Sequence, residues 1–373
     1  MERRRSLRTG QMDYWLYSAV MITCAFGLVM MFSASYYYAQ TSASFNNDGL
    51  HFLRSQAIYL VVGIVAMYAI SRLDYHLLEK IKVIALVVTM GMMLAVVFWG
   101  KEINGAKRWI EIPPLPAFQP SELAKFVLIL YMASFMAARP NLMKDFVRGV
   151  VPMLIIMGAL AMLLLLQRNM SMAMIVVLIG AVMLYIGGAD FKHLFGLGML
   201  AVPLFFLLAY VETYRWNRLI IFTDPWKDPL GSGYQLIQSL YALGSGGLFG
   251  KGLNFSVQKL RFLTYGESDF IFAIIGEELG LVGCILLLCM YFFIIWRGIR
   301  IAAKSKDRFG SLLAGGVTAV LAMQVAINVG VVTSSVPPTG QTLPFVSQGG
   351  TSLVIFMSAA GILLNISRNI ELE

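Results

Sequence analysis

Four carboxylates lie within twelve residues at the start of a long apolar run: Glu267, Asp269, Glu277 and Glu278 in RFLTYGESDFIFAIIGEELGLVG. They are four of only 20 Asp plus Glu in 373 residues, a fifth of the supply. Carboxylates this close can share proton transfer or hold cations. If a helix begins near Asp269, the tandem glutamates lie ~12–13 Å further along at 1.5 Å per residue. Two carboxylates serving one glycosidic-type centre stand roughly 5–9.5 Å apart. Asp269 and the Glu277-Glu278 pair are therefore expected to do different jobs. Asp269 belongs at the outer membrane surface, either facing a substrate or capping the helix. At lipid depth, Glu277 or Glu278 must point into the bundle, pair with a cation such as Lys125, or be protonated.

A second group sits in QPSELAKFVLILYM, from Gln119. Pro120 suits a helix start. Glu122 falls in the first turn, where the helix dipole favours an anion, and Lys125 shares its face three residues on. The pair either snorkels at the interface or faces a polar cavity, and Lys125 needs an anion in both cases. A third group is GSGYQLIQSLYALGSGGLFGKGLNFSVQKL, with seven glycines between 231 and 252. It is no phosphate-binding Walker loop, because Ser245 stands where the first glycine belongs and Gly252 follows Lys251. Gln235 and Gln238 share a face of a short helix here, and the glycines imply irregular backbone beside a cavity. The three cysteines (Cys24, Cys284, Cys289) lie in apolar runs and read as core residues. His51, His76 and His193 are scattered without metal-ligand spacing.

The elements that must position these groups are membrane helices. The chain is 58% hydrophobic and 13% charged, with mean hydropathy +0.75, against roughly 25% charged in soluble domains. Ten apolar runs predict an all-α polytopic membrane protein with spans near 14–38, 52–70, 81–99, 121–138, 148–166, 169–187, 193–211, 270–296, 310–332 and 345–366. The first run is too long for a cleaved signal peptide and is expected to be retained. Lysine and arginine crowd the short segments 1–13, 71–80, 139–147, 188–192, 297–309 and 367–373, which places both termini in the cytosol. The outer side then holds 99–120, 333–344 and the long segment 212–269 between the seventh and eighth spans. Arg215, Arg218, Lys227, Lys251, Lys259 and Arg261 in that segment run against the positive-inside bias, and suggest an anionic group on the outer face. The 99–120 loop carries an Asn104-Gly105 turn signal and Trp109, with Lys107 and Arg108 read as surface anchors.

ESDFIFAIIGEELGLVG resembles the signature of the SEDS family, which comprises FtsW, RodA and SpoVE. INGAKRW, FQPSELAK, the glycine-rich segment and NVGVVTSSVPPTGQTLPFVSQGGTSL follow the family's order, so the likeness spans nearly all of the chain as one transmembrane domain, residues 1–373. The FtsW/SpoVE branch is the nearer one. The resemblance implies a peptidoglycan glycosyltransferase that polymerises lipid II at the outer face of the bacterial cytoplasmic membrane. It implies a class B penicillin-binding protein and other division or elongation proteins as partners, with membrane lipids around the chain and no nucleic acid. It places the family's essential aspartate at Asp269, the helix-four pair at Glu122 and Lys125, and the tandem glutamates at Glu277 and Glu278. The chain departs from the family pattern at Leu263-Thr264-Tyr265, Gln167-Arg168-Asn169 and Ser347-Gln348-Gly349-Gly350.

In the mechanism this implies, Asp269 takes the proton of the acceptor hydroxyl. Lys125, Lys259 and Arg261 are the candidate cations for the leaving pyrophosphate, with or without a divalent cation. Glu122, Lys125, Glu277 and Glu278 would equally suit the path of a lipid II flippase. A non-catalytic scaffold of the division machinery is a third alternative.

Overall fold

The computed structural model describes residues 10–103, 106–111 and 117–370; the Asn104-Gly105 turn and the Arg215 side chain lie outside what is described. The helices are α1 (Tyr14–Gln40), α2 (His51–Arg72), α3 (His76–Trp99), α4 (Pro120–Ala138), α5 (Val151–Leu166), α6 (Met170–Ile186), α7 (Phe191–Val211), α8 (Thr213–Thr223), α9 (Tyr234–Gly246), α10 (Ile271–Lys304), α11 (Arg308–Val332) and α12 (Gly350–Ser367). A small antiparallel hairpin, β1 (Lys101–Ile103) and β2 (Ala106–Trp109), joins α3 to α4.

Among the described residues nine helices are long and apolar enough to cross a membrane, and the 17-residue α6 is a shorter apolar helix at the tenth expected position. The chain is a multi-pass membrane protein. Three boundaries differ from the expected ones by five residues or more, the first being the start of α3 at His76 rather than 81. α10 continues to Lys304 because RGIRIAAK extends the helix as a basic last turn. α12 begins only at Gly350, because residues 343–347 form tight turns in which Val346 and Ser347 donate to the Leu343 carbonyl.

Local signals start the helices where the sequence places them. Asp13 accepts from Leu16 N at 3.0 Å and starts α1, Pro120 occupies the first turn of α4, and Asn169 accepts from Met172 N to start α6. These side chains satisfy amides that a helix start leaves without intrahelical partners. Tertiary packing then sorts the helices. α4 packs on α3 and α11, α2 packs on α12, and α10 packs on α11. In α4 and α12, 72% of the most apolar stretch is buried, against 6% in α7, so α4 and α12 are core elements and α7 is peripheral.

Far from being a plain loop, the long segment after α7 contains α8 and α9, and its glycine-rich end is built into α10. α10 breaks at Gly280, where φ is +67°. At the break, Lys251 N donates to Glu277 O and Gly252 N to Glu278 O, while Leu281 N and Val282 N donate to Gly247 O and Leu248 O. The outer segment thus satisfies backbone groups that the broken helix cannot satisfy itself, which a membrane-depth break requires. Gly280 is obligatory: a Cβ there would stand 2.3 Å from Gly250 N and 2.5 Å from Leu248 O.

Gly280→Ala should therefore cost at least about 2 kcal/mol, from the strained φ and the backbone clash together. Thermal unfolding of the purified protein in detergent checks it; an unchanged midpoint would show that the two backbones separate without penalty.

Candidate functional site

The tandem glutamates have no exposure at all, and the outer segment neutralises both. Glu277 pairs with Lys251 Nζ at 2.7 Å and accepts from Val257 N and Gln258 N at 3.2 Å and from the Ser256 hydroxyl. Glu278 pairs with Lys259 Nζ at 2.8 Å and accepts from the Ser33 hydroxyl of α1 at 2.7 Å. Lys259 also donates to Asn254 Oδ1 at 2.6 Å and is itself buried. Glu277 and Glu278 therefore do not pair with Lys125, and Lys259 is not available to a pyrophosphate. Arg261 is also committed elsewhere: it donates to the Thr41 carbonyl at 3.0 Å, with its guanidinium 5.7 Å from the Tyr38 ring centre.

Lys125 lies wholly buried in the bundle. It donates to Glu122 Oε2 at 3.0 Å and to Gln324 Oε1 at 2.5 Å, and sits 5.2 Å from the Phe356 ring centre. Glu122 also accepts from the Ser352 hydroxyl at 3.2 Å. The pair faces the bundle interior, as one of the two sequence readings has it, but it is closed off from an anionic ligand. Gln235 and Gln238 are half-buried on α9, and neither is among the cavity-lining residues described next.

Asp269 stands apart from these saturated clusters. It does not cap α10, whose cap position is Phe270 with no side-chain bond. Its Oδ1 accepts from the Ser268 hydroxyl at 3.0 Å. The segment carrying it is tied to the loop before α12: Ser347 Oγ donates to Ser268 O at 2.6 Å and Gln348 N to Glu267 O at 2.9 Å. Gly340 lies across the carboxylate at φ +70°, so close that a Cβ there would be 3.4 Å from Asp269 Oδ2. Three buried oxygens on the residues flanking Gly340 and on α11 have no protein partner among the described residues: Asn328 Oδ1, Thr339 Oγ1 and Gln341 Oε1. Buried polar atoms left unpaired call for a partner, and Thr339 is the one of these three residues that lines the cavity described next.

Burial pushes the Asp269 carboxyl above the ordinary aspartate range, against the pull of Ser268, Arg218 and Arg108. Burial raises Glu267 as well, with the Asp269 charge adding to it. The cations near Asp269 are thus Arg108 of β2 and Arg218 of α8, neither of which stood among the three expected at the pyrophosphate. Both line a cavity of about 860 Å³, together with Arg168, Thr339 and an apolar wall that includes Phe205 and Phe206 of α7. Arg108 donates to the Arg168 carbonyl at 2.7 Å, and Arg218 donates to the Pro338 carbonyl at 3.1 Å, two residues from Gly340. A sequence signal existed, since Arg108 and Arg218 are outer cations, but nothing distinguished them from Lys227 or Lys251. The Arg168 departure also gains a place, because it turns the chain at φ +53° between α5 and α6. Among the described residues no group of three or more His, Cys, Asp or Glu side chains is arranged to hold a metal ion.

The Glu122–Lys125 coupling yields a direct test. Lys125→Met strands a buried carboxylate and should cost roughly 3–5 kcal/mol. Adding Glu122→Gln should recover part of that in thermal unfolding. Strictly additive losses would show the two side chains to be uncoupled.

Residues 14–372 match the FtsW/RodA/SpoVE family, described as cell cycle proteins. The chain is 39% identical over 354 residues to a probable peptidoglycan glycosyltransferase FtsW of Geobacter sp. (strain M18), covering 94% of this chain and 95% of the relative. It is 37% identical over 358 residues to the stage V sporulation protein E of Bacillus subtilis (strain 168), covering 95% and 97% respectively. A solved chain from a study of how a peptidoglycan synthase complex coordinates polymerization and crosslinking superposes with a TM-score of 0.78 at 28% identity, covering 96% of this chain and 98% of that one. With a family match over nearly its whole length and a helical bundle shared with a solved relative, the chain belongs to the FtsW/RodA/SpoVE family.

Proposed function

We propose that this chain is a peptidoglycan glycosyltransferase of the bacterial cytoplasmic membrane, polymerising lipid II with Asp269 as its general base. The observation that carries the site assignment is the position of Asp269. Unlike Glu122, Glu277 and Glu278, it has no lysine ion pair among the described residues, and two arginines that line an apolar cavity act on its charge. Asp269 takes the proton of the acceptor sugar's 4-hydroxyl, and that oxygen bonds to the donor's anomeric carbon. The carbon–oxygen bond to the lipid pyrophosphate breaks, its electron pair leaves with the pyrophosphate, and the configuration inverts. Arg108 and Arg218 meet the charge that develops on the leaving group. They take the role expected of Lys125, Lys259 and Arg261: the two lysines are buried in ion pairs, and Arg261 is bonded at the surface to the Thr41 carbonyl. The apolar wall takes the start of the polyprenyl tail. Thr339, which lines the cavity, offers its hydroxyl to the sugar. A class B penicillin-binding protein is the partner that crosslinks the product.

The flippase alternative loses its support at the same point. Glu122, Lys125, Glu277 and Glu278 are each buried and occupied by protein partners, so they line no open path.

Two measurements on the purified protein with lipid II test the reading. Asp269→Asn should lower polymerisation by about 10²–10⁴-fold, the range for loss of a positioned base, with the protein still folded; wild-type glycan synthesis by this variant would remove Asp269 from the mechanism. The base acts deprotonated and its pKa is raised by burial. Wild-type activity should therefore be full above that pKa and fall as pH drops through it, on an acid limb lying above the ordinary aspartate range. A limb within the ordinary range would mean that the carboxylate works in contact with water.

A further inference from the structure

Asp269 lies outside the regular ladder of α10, which opens with Ala273 N donating to Phe270 O. Its position must be set by other contacts: besides the Ser347 and Gln348 bonds to its two preceding neighbours, one side chain reaches its own carbonyl. Asn328 of α11, 1% exposed, donates from Nδ2 to the Asp269 carbonyl at 2.9 Å and to the Gln341 carbonyl at 2.7 Å. Both amide hydrogens are thereby used, which fixes the orientation of the group and leaves Oδ1 as the buried acceptor without a protein partner. One turn earlier on the same helix face, Gln324 donates to the next loop carbonyl, Thr342 O, at 3.1 Å, and its oxygen is held by Lys125. Two amides of α11 thus grip consecutive carbonyls of the loop that lays Gly340 across the Asp269 carboxylate.

We propose that Asn328 is the positioning residue for Asp269: one amide sets both the backbone that carries the carboxylate and the loop that covers it. Asn328 does not act on substrate in this role. It fixes the distance between the carboxylate and Gly340, and with it how much water the carboxylate meets. The inference rests on Asp269 being the base. The charged groups that face Asp269 are Arg218 of α8, Arg108 of β2 and Glu267 of its own segment. Asn328 holds the carboxylate in register with all three.

The test compares full-length wild type, Asn328→Ala and the milder Asn328→Ser, which keeps one donor, in lipid II polymerisation across pH. Ser239→Ala is the matched control. Its hydroxyl is equally buried and donates to Val332 O at 2.8 Å, joining α9 to α11 away from Asp269. Asn328→Ala should lower kcat by at least about tenfold, since displacements of an ångström cost up to 10²-fold, with KM for lipid II changed less than about twofold. Its acid limb should move down toward the ordinary aspartate range as water reaches the carboxylate, with Asn328→Ser intermediate and Ser239→Ala keeping the wild-type limb. The proposal is overturned if activity falls only in proportion to the folded fraction with the limb unmoved. It is also overturned if neither Asn328 variant folds while Ser239→Ala does, because the side chain is then a folding requirement. An Asp269→Asn variant that stays fully active would instead overturn the base assignment on which the proposal rests.

Discussion

Charge placed inside hydrocarbon must be neutralised by the protein itself, and in this chain that constraint organises the outer half of the molecule. Glu277 and Glu278 sit at a break in α10 with no exposure to water. An unpaired carboxylate at that depth would cost several kcal/mol. The outer segment answers with Lys251 and Lys259, a cluster of serine hydroxyls and backbone amides, and four backbone bonds across the break. The tandem glutamates thus act as anchors that hold the segment of nearly 60 residues before α10 against the bundle. The alternative reading, in which these glutamates line a translocation path, finds both of them held by protein partners.

The same logic separates the carboxylates held in lysine pairs from Asp269, the proposed base. Glu122, Glu277 and Glu278 each have a lysine within hydrogen-bond distance. Asp269 has a neighbouring hydroxyl and a glycine, with Arg108 and Arg218 near enough to act on its charge. A carboxylate locked to a lysine and to hydroxyls or amides is a poor base, because its lone pairs are already occupied. One that is partly desolvated and feels cations only at longer range keeps a raised pKa and a reason to take a proton.

α11 links the two regimes. Lys125 and Glu122 at the bundle centre reach the outer loop through Gln324, and Asp269 reaches the same loop through Asn328. A buried ion pair and a candidate catalytic carboxylate are therefore braced against one rigid helix. Loops place reactive groups well only when a scaffold over-determines them, and the two amides on one face of α11 are that scaffold. α7, by contrast, contributes Phe205 and Phe206 to the cavity wall while burying little of itself.

The sequence by itself determined the helices and the identity of the carboxylates. Apolar runs of membrane length are local features, so every expected span carries a helix, and the three-residue spacing of Glu122 and Lys125 was enough to join them, because helix geometry brings such neighbours together whatever the fold. Asp269 was legible through its motif, and the glycines from 231 to 252 through their density. Which cation meets which anion was not legible. The outer segments offer many lysines and arginines that look alike in sequence, and two of those chosen for the pyrophosphate, Lys259 and Arg261, are spent on Glu278 and on Thr41. Arg108 and Arg218 reach the neighbourhood of Asp269 from a hairpin before α4 and a helix after α7. Asn328 looked like one polar residue in an apolar run until the chain reversal after α11 brought the Gln341 carbonyl back over it. Pairing of charges and satisfaction of buried amides depend on distance through space, and only the tertiary structure sets that distance.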